Sequence, residues 1–222
     1  MNERWTPLFD GKPFSEAEKV YSQAGRSLIT QAWMFGKNTL QEGFFPVIFN
    51  HNGKPKAQDF TSYYGHRNSE RMFVVADPTG EIIYTADTVR GDNIITILSE
   101  TVSENYLEHL RNMGISYLFA GINGQDLPLA MHRLRTEFGI ESLSLQGGGI
   151  INGAFLKAGL LDELNLLIYP GIDGLSGIPS IFEYIGNDED RPAIGQSLEL
   201  LHADTLENGI VRLHYKFHKT IL

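Results

Sequence analysis

Cysteine is absent from the 222-residue chain. That excludes disulfides, thiolate metal sites and a cysteine nucleophile, and it fits a reducing cytoplasm. Basic residues are outnumbered: 18 Lys plus Arg stand against 27 Asp plus Glu, a formal net charge of −9. Nucleic acid is therefore not an expected partner, because binding it relies on neutralising phosphates with Lys and Arg. Long apolar runs are missing as well. No stretch approaches the roughly 20 apolar residues that span a bilayer. The polar opening, residues 1–10, lacks the apolar core of a secretory signal. Neither H-E-x-x-H nor G-x-S-x-G occurs, so zinc-hydrolase and serine-hydrolase chemistry have no motif support. A cytoplasmic protein without membrane or metal is the expectation.

What is present suits one globular domain. Hydrophobic residues make up 42%, enough for a real core. Residues 15–26 (SEAEKVYSQAGR) read as a helix, with Ser15 and Glu18 spaced as a capping box. Residues 31–35 (QAWMF) read as a buried strand that stops at Gly36, and 37–43 as a short helix. Residues 46–70 are polar and irregular, a long surface loop or lid. Strands and helices then alternate. Strands are expected at 71–76, 93–98, 115–120 and 141–145, and helices at 103–113, 127–138 and 150–158. Three further strands (163–169, 197–205 and 210–218) have little helix between them, and Glu207-Asn208-Gly209 is a hairpin signal. The fold class is α/β: a mostly parallel central sheet with helices on both faces and an antiparallel C-terminal hairpin.

Two glycine turns carry the chemistry. At 143–153 (LSLQGGGIING) a strand runs into Gly147-Gly148-Gly149 and a helix follows. Three glycines let a ligand approach the backbone, and free N–H groups at a helix start favour an anion. A tight turn with no ligand is the alternative. At 34–39 (MFGKNT) another strand ends in glycine, and the next residues carry a cation and a hydroxyl, which suits a phosphate. An ordinary helix start with a surface lysine is the alternative there. Two such turns in one domain could hold the two ends of a dinucleotide.

Residues 146–156 (QGGGIINGAFL), residues 159–164 (GLLDEL), Pro170 and Gly174 closely resemble the reductase domain of the bifunctional riboflavin-biosynthesis deaminase/reductase. The resemblance runs from Trp33 to about Phe217. It implies a dihydrofolate-reductase-like fold, NADPH as cofactor, a small heterocyclic or carbonyl substrate and a homodimer. Reduction of 5-amino-6-(5-phosphoribosylamino)uracil is the leading specific activity it implies. On the same ground, Gly147, Gly148, Gly149 and Ile150 would lie along the diphosphate and nicotinamide, and Gly36, Lys37, Asn38 and Thr39 by the adenosine and its 2′-phosphate. The chain departs from the family pattern in three ways. Gln146 stands where Glu is usual, there is no deaminase portion, and the usual first strand with its Ser-x-Asp-Gly segment is missing ahead of Met1. Losing that strand would leave neighbouring strands with unpaired backbone groups, so either the start is set too late or another segment fills the place.

Other features favour structural roles. Asp162-Glu163 reads as a hydrogen-bonding pair at a strand entry rather than an acid/base pair. His214 and His218 alternate with Val211, Leu213, Tyr215 and Phe217, which puts them on a solvated strand face. His51 and His66 flank the irregular segment. Trp5, Phe9, Phe44, Phe45, Tyr63 and Tyr64 read as loop packing, with stacking on a flat heterocycle as the alternative. Two rival functions remain: a catalytically inactive nucleotide-binding or regulatory homologue, and an interaction module whose glycine turn is purely structural. No residue is assigned as proton donor.

Overall fold

The computed structural model describes residue 8 and residues 10–220, apart from the side chain of Phe14. Trp5 and Phe9 lie outside the described residues. In chain order the elements are α1 (Phe14–Ser27), β1 (Ala32–Gly36), α2 (Lys37–Gly43), β2 (Met72–Ala76), β3 (Thr88–Val89), β4 (Asp92–Leu98), α3 (Glu104–Met113), β5 (Ser116–Phe119), α4 (Leu127–Phe138), β6 (Leu143–Leu145), α5 (Gly149–Lys157), β7 (Glu163–Ile168), β8 (Gln196–Thr205) and β9 (Val211–Lys219). They form two compact units. The first comprises Thr30–Gly153 with Ile181–Tyr184; the second holds the described residues up to Ile29, Ala154–Ser180 and those from Ile185 on.

The first unit is built on a six-stranded sheet. β1 lies between β6 and β2, and β4 follows β2; β3 and β5 both pair with β4. All pairings are parallel except β3 with β4. The sequence of β4, DNIITIL, has no polar/apolar alternation because residues 93–98 are all buried, as a central parallel strand requires. β3 is a two-residue strand that periodicity does not announce. Its link to β4 is Arg90-Gly91, both with positive φ (53° and 92°), the backbone a two-residue hairpin demands.

Helix ends follow their local chemistry. Ser103 caps α3 by accepting from Tyr106 N, and Gly114 closes it in the left-handed region at φ 70°. Asp126 caps α4 by accepting from Leu129 N, and Gly139 closes it at φ 71°. The capping box expected at Ser15 does not form. α1 begins at Phe14 behind Pro13, with no side-chain cap, so Ser15 already lies inside the first turn. Residues 46–70 are irregular as expected, but they are fastened. Ala57 N donates to Val102 O, Tyr63 and Tyr117 exchange backbone bonds, and His51 bridges Ser103 Oγ and Gly80 O. Phe49, Phe60 and Tyr63 pack on the core formed by β2, β4, β5 and α3.

That core encloses a polar knot. Asp77, buried at the end of β2, accepts from Ile82 N at 3.0 Å and from the Tyr106 hydroxyl at 3.1 Å. Burial pushes the Asp77 carboxyl above the usual carboxylate range. A carboxyl that holds its proton more tightly folded than unfolded makes stability fall as pH rises above the unfolded value of about 3.9. Asp77→Asn removes that loss. The stability of Asp77→Asn relative to wild type, from urea titrations at a series of pH values, is therefore expected to rise with pH above about 4. A difference that is flat or falls with pH would refute the account.

In the second unit β9 lies between β7 and β8, all antiparallel. Asn208 and Gly209 take positive φ at the β8–β9 corner, where the hairpin signal stood. Ala17 and Val20 of α1 pack with Ile210, Leu167, Tyr169 and Leu206. Among the described strands β6 pairs only with β1, and β7 only with β9.

Candidate functional site

The order of strands in the first unit creates the site. From β1 the chain moves to β2, β4 and β5 on one side, then crosses to β6 on the other. β1 and β6 are thus neighbours in the sheet although four strands lie between them in the chain. In open α/β sheets ligands bind beyond the carboxyl ends of the strands. Ala32, Trp33 and Met34 stand opposite Leu143, Ser144 and Leu145, a register that, carried on by two residues, sets Gly36 beside Gly147. Both glycine turns follow those ends directly. Gly36 N donates to Gly147 O at 3.3 Å, and Gln146 N donates to Met34 O at 2.8 Å. The two groups, Gly36, Lys37, Asn38, Thr39 and Gly147, Gly148, Gly149, Ile150, are thus brought side by side although more than a hundred residues separate them.

Each glycine of the second turn does something different. Gly147 has φ +98°, a conformation side chains rarely adopt, and a Cβ there would meet the Asn152 amide at 3.5 Å. The Gly147–Gly148 peptide is cis. Gly148 is exposed, with nothing within 4 Å of where a Cβ would stand. Gly149 begins α5, and Asn152 N donates to Gly148 O at 3.2 Å. Ile150 is half exposed. The backbone of Gly148 thus lies bare just ahead of a helix, and a side chain there would cover it. That fits a bulky anionic ligand such as a diphosphate.

Asn152 and Gly153 serve packing. Asn152 Nδ2 donates to Ile181 O at 2.8 Å, and Glu183 N donates to Gly149 O at 2.9 Å. A Cβ on Gly153 would stand 2.1 Å from Glu183 O. The segment Ile181–Tyr184 therefore straps the first turn of α5, with glycine at the closest approach. The Gln146 side chain donates to Ser144 Oγ at 2.6 Å.

At the first turn, the Lys37 ammonium donates to Thr79 Oγ1 at 2.8 Å and pairs with Glu81 at 2.5 Å. Both partners follow β2, whose Ala76 stands opposite Gly36. Lys37 holds the Glu81 carboxyl below its usual range. Sequence reasoning did not single out Thr79 or Glu81; the only available signal was the Asp77-Pro78-Thr79-Gly80 turn after the neighbouring strand.

The remaining sequence features take structural places. Asp162 pairs with Lys219 at 2.8 Å, Glu163 with His214 at 2.9 Å and Glu199 with His218 at 2.6 Å. Phe45 is buried against Tyr84, Tyr63 packs on Tyr117, and the exposed Tyr64 packs on Phe138. His66 meets Asp87 at 2.7 Å. Among the described residues no group of His, Asp and Glu could hold a metal ion, and no helix is long and apolar enough to cross a membrane.

Comparison with known proteins bears on this geometry. The family described as RibD C-terminal domain matches residues 21–212. The 2,5-diamino-6-ribosylamino-4(3H)-pyrimidinone 5′-phosphate reductase of Methanothermobacter thermautotrophicus is 33% identical over 125 residues, covering 55% of this chain and 56% of that protein. The matched stretch thus spans little more than half the length of that relative. A pyrimidine reductase-like protein from Corynebacterium diphtheriae superposes with a TM-score of 0.63 at 17% identity, covering 94% of this chain and 83% of that one. Acinetobacter baumannii RibD superposes with a TM-score of 0.60 at 18% identity, covering 96% of this chain and 54% of that one. At such identities the two structures establish the shared fold.

Proposed function

Because this chain belongs to the RibD C-terminal domain family, we propose that it is an NADPH-dependent reductase of a small heterocyclic or carbonyl substrate. The ribosylamino-pyrimidine phosphate class is the substrate class we propose, on its similarity to the archaeal reductase. The observation that carries the reading is the meeting of two glycine turns beyond the carboxyl ends of the neighbouring strands β1 and β6.

In this reading Gly147, Gly148, Gly149 and Ile150 line the diphosphate and nicotinamide, and Gly36, Lys37, Asn38 and Thr39 take the adenosine end. The bare backbone at Gly148 admits the ligand closely, and the Lys37 ammonium supplies positive charge for a 2′-phosphate. NADPH, when bound, supplies a hydride; the chain's own residues bind it and orient the substrate. The whole chain acts as one reductase domain in the cytoplasm. It pairs with a second copy, a state supported by Leu198, Leu200 and Ile168, each about half exposed on the Tyr215 face of the antiparallel sheet.

The test is a fluorescence titration with NADPH and NADH, followed by addition of the pyrimidine substrate, on protein whose mass in solution has been measured by sedimentation. Saturable binding that favours NADPH, then nucleotide oxidation by a dimer, is the expected result. Binding without oxidation would favour a regulatory homologue. No binding of either nucleotide would leave the glycine turns purely structural.

A further inference from the structure

The cation at the first glycine turn is already neutralised. Glu81 Oε2 and Thr79 Oγ1 lie 2.5 and 2.8 Å from Lys37 Nζ, and the pair is partly shielded, with side-chain exposures of 26% for Lys37 and 33% for Glu81. Thr79 Oγ1 also reaches Asp77 Oδ1 at 3.4 Å, which ties the group to the buried end of β2. A ligand phosphate approaching Lys37 therefore meets a carboxylate from the same chain in the place it would occupy.

Resting on the NADPH reading, we propose that Glu81 determines cofactor specificity: its carboxylate competes with the 2′-phosphate for Lys37 and holds down the preference for NADPH over NADH. The two nucleotides differ only in that phosphate, which carries close to two negative charges near neutral pH. To engage Lys37 the phosphate must displace Glu81 or sit beside it, and two like charges at one cation disfavour each other. The hydroxyl of Thr79 serves either occupant. NADH carries the same diphosphate but no 2′-phosphate to compete for Lys37, so its binding depends little on the charge at Glu81.

The test is a set of titrations of wild type, Glu81→Gln, Lys37→Met and the double variant with NADPH and with NADH. Glu81→Gln keeps the shape and an acceptor for Lys37 but removes the charge. It is expected to bind NADPH roughly three- to fivefold more tightly, the upper scale of one partly exposed ion pair. NADH affinity stays within about twofold, which also reports that the variant is folded. In the Lys37→Met background the same change at Glu81 brings a smaller gain for NADPH, because the contested cation is gone and only direct repulsion of the phosphate is left to relieve. An unaltered NADPH affinity, an equal shift for both nucleotides, or a gain undiminished by loss of Lys37 overturns the proposal while the reductase reading stands. Binding of neither nucleotide by wild type overturns both.

Discussion

Gly148→Val is expected to weaken NADPH binding by about a hundredfold or more, roughly 2.7 kcal/mol, while leaving the fold standing. Both halves of that statement come from one observation. Nothing lies within 4 Å of a Cβ at Gly148, and the residue is exposed with a φ outside the left-handed region, so an added Cβ meets no protein atom. It enters the open space over the bare backbone of Gly148, where the proposed diphosphate would come close. A fluorescence titration beside a thermal melt separates the two effects. An unchanged melting temperature with lost binding supports the site. Retained affinity would mean that no ligand approaches this backbone. The comparison with Gly147→Ala is informative, because at φ +98° that change strains the backbone itself.

Gly153→Ala is expected to do the reverse, damaging the fold first. Helix propensity alone favours alanine over glycine inside α5 by about 1 kcal/mol. Packing opposes it more strongly. The new Cβ would stand 2.1 Å from Glu183 O and 2.8 Å from Tyr184 N, both backbone atoms that no rotamer change can move. Relief requires the Ile181–Tyr184 strap to withdraw. That sacrifices the Glu183 N bond to Gly149 O and the Asn152 bond to Ile181 O, at about 0.5–1.5 kcal/mol each. Overpacking adds about 1–3 kcal/mol. A net loss of about 3 kcal/mol is expected in urea unfolding, with faster proteolysis at the strap and weaker nucleotide binding, since the strap holds the glycine turn. A neutral or stabilising effect would show that the close approach does not constrain α5.

Local chemistry made much of this readable. Ser103 with Gly114 and the apolar spacing between them marked α3. The apolar spacing from Leu127 to Phe138 marked α4. The glycine runs marked both turns of the site, and strands alternating with helices marked a parallel sheet. Three things were hidden. The Arg90-Gly91 hairpin flanks a strand too short to show a period. The irregular residues 46–70 owe their fixed path to Val102, Ser103, Gly114 and Tyr117, all distant in sequence. The partners of Lys37 stand 42 and 44 residues away.

The sequence by itself determined the element types, the two glycine turns and a resemblance specific enough to name a family. These depend on caps, periods and backbone freedom, which act within a few residues. Tertiary structure alone decided that the turns meet, that Gly153 answers to the backbone of Glu183, and that the charge of Lys37 is shared with Glu81. Each of these is a contact between segments far apart in the chain. Parallel strand order fixes which ends become neighbours, and that order is set by packing of the whole sheet rather than by any local signal.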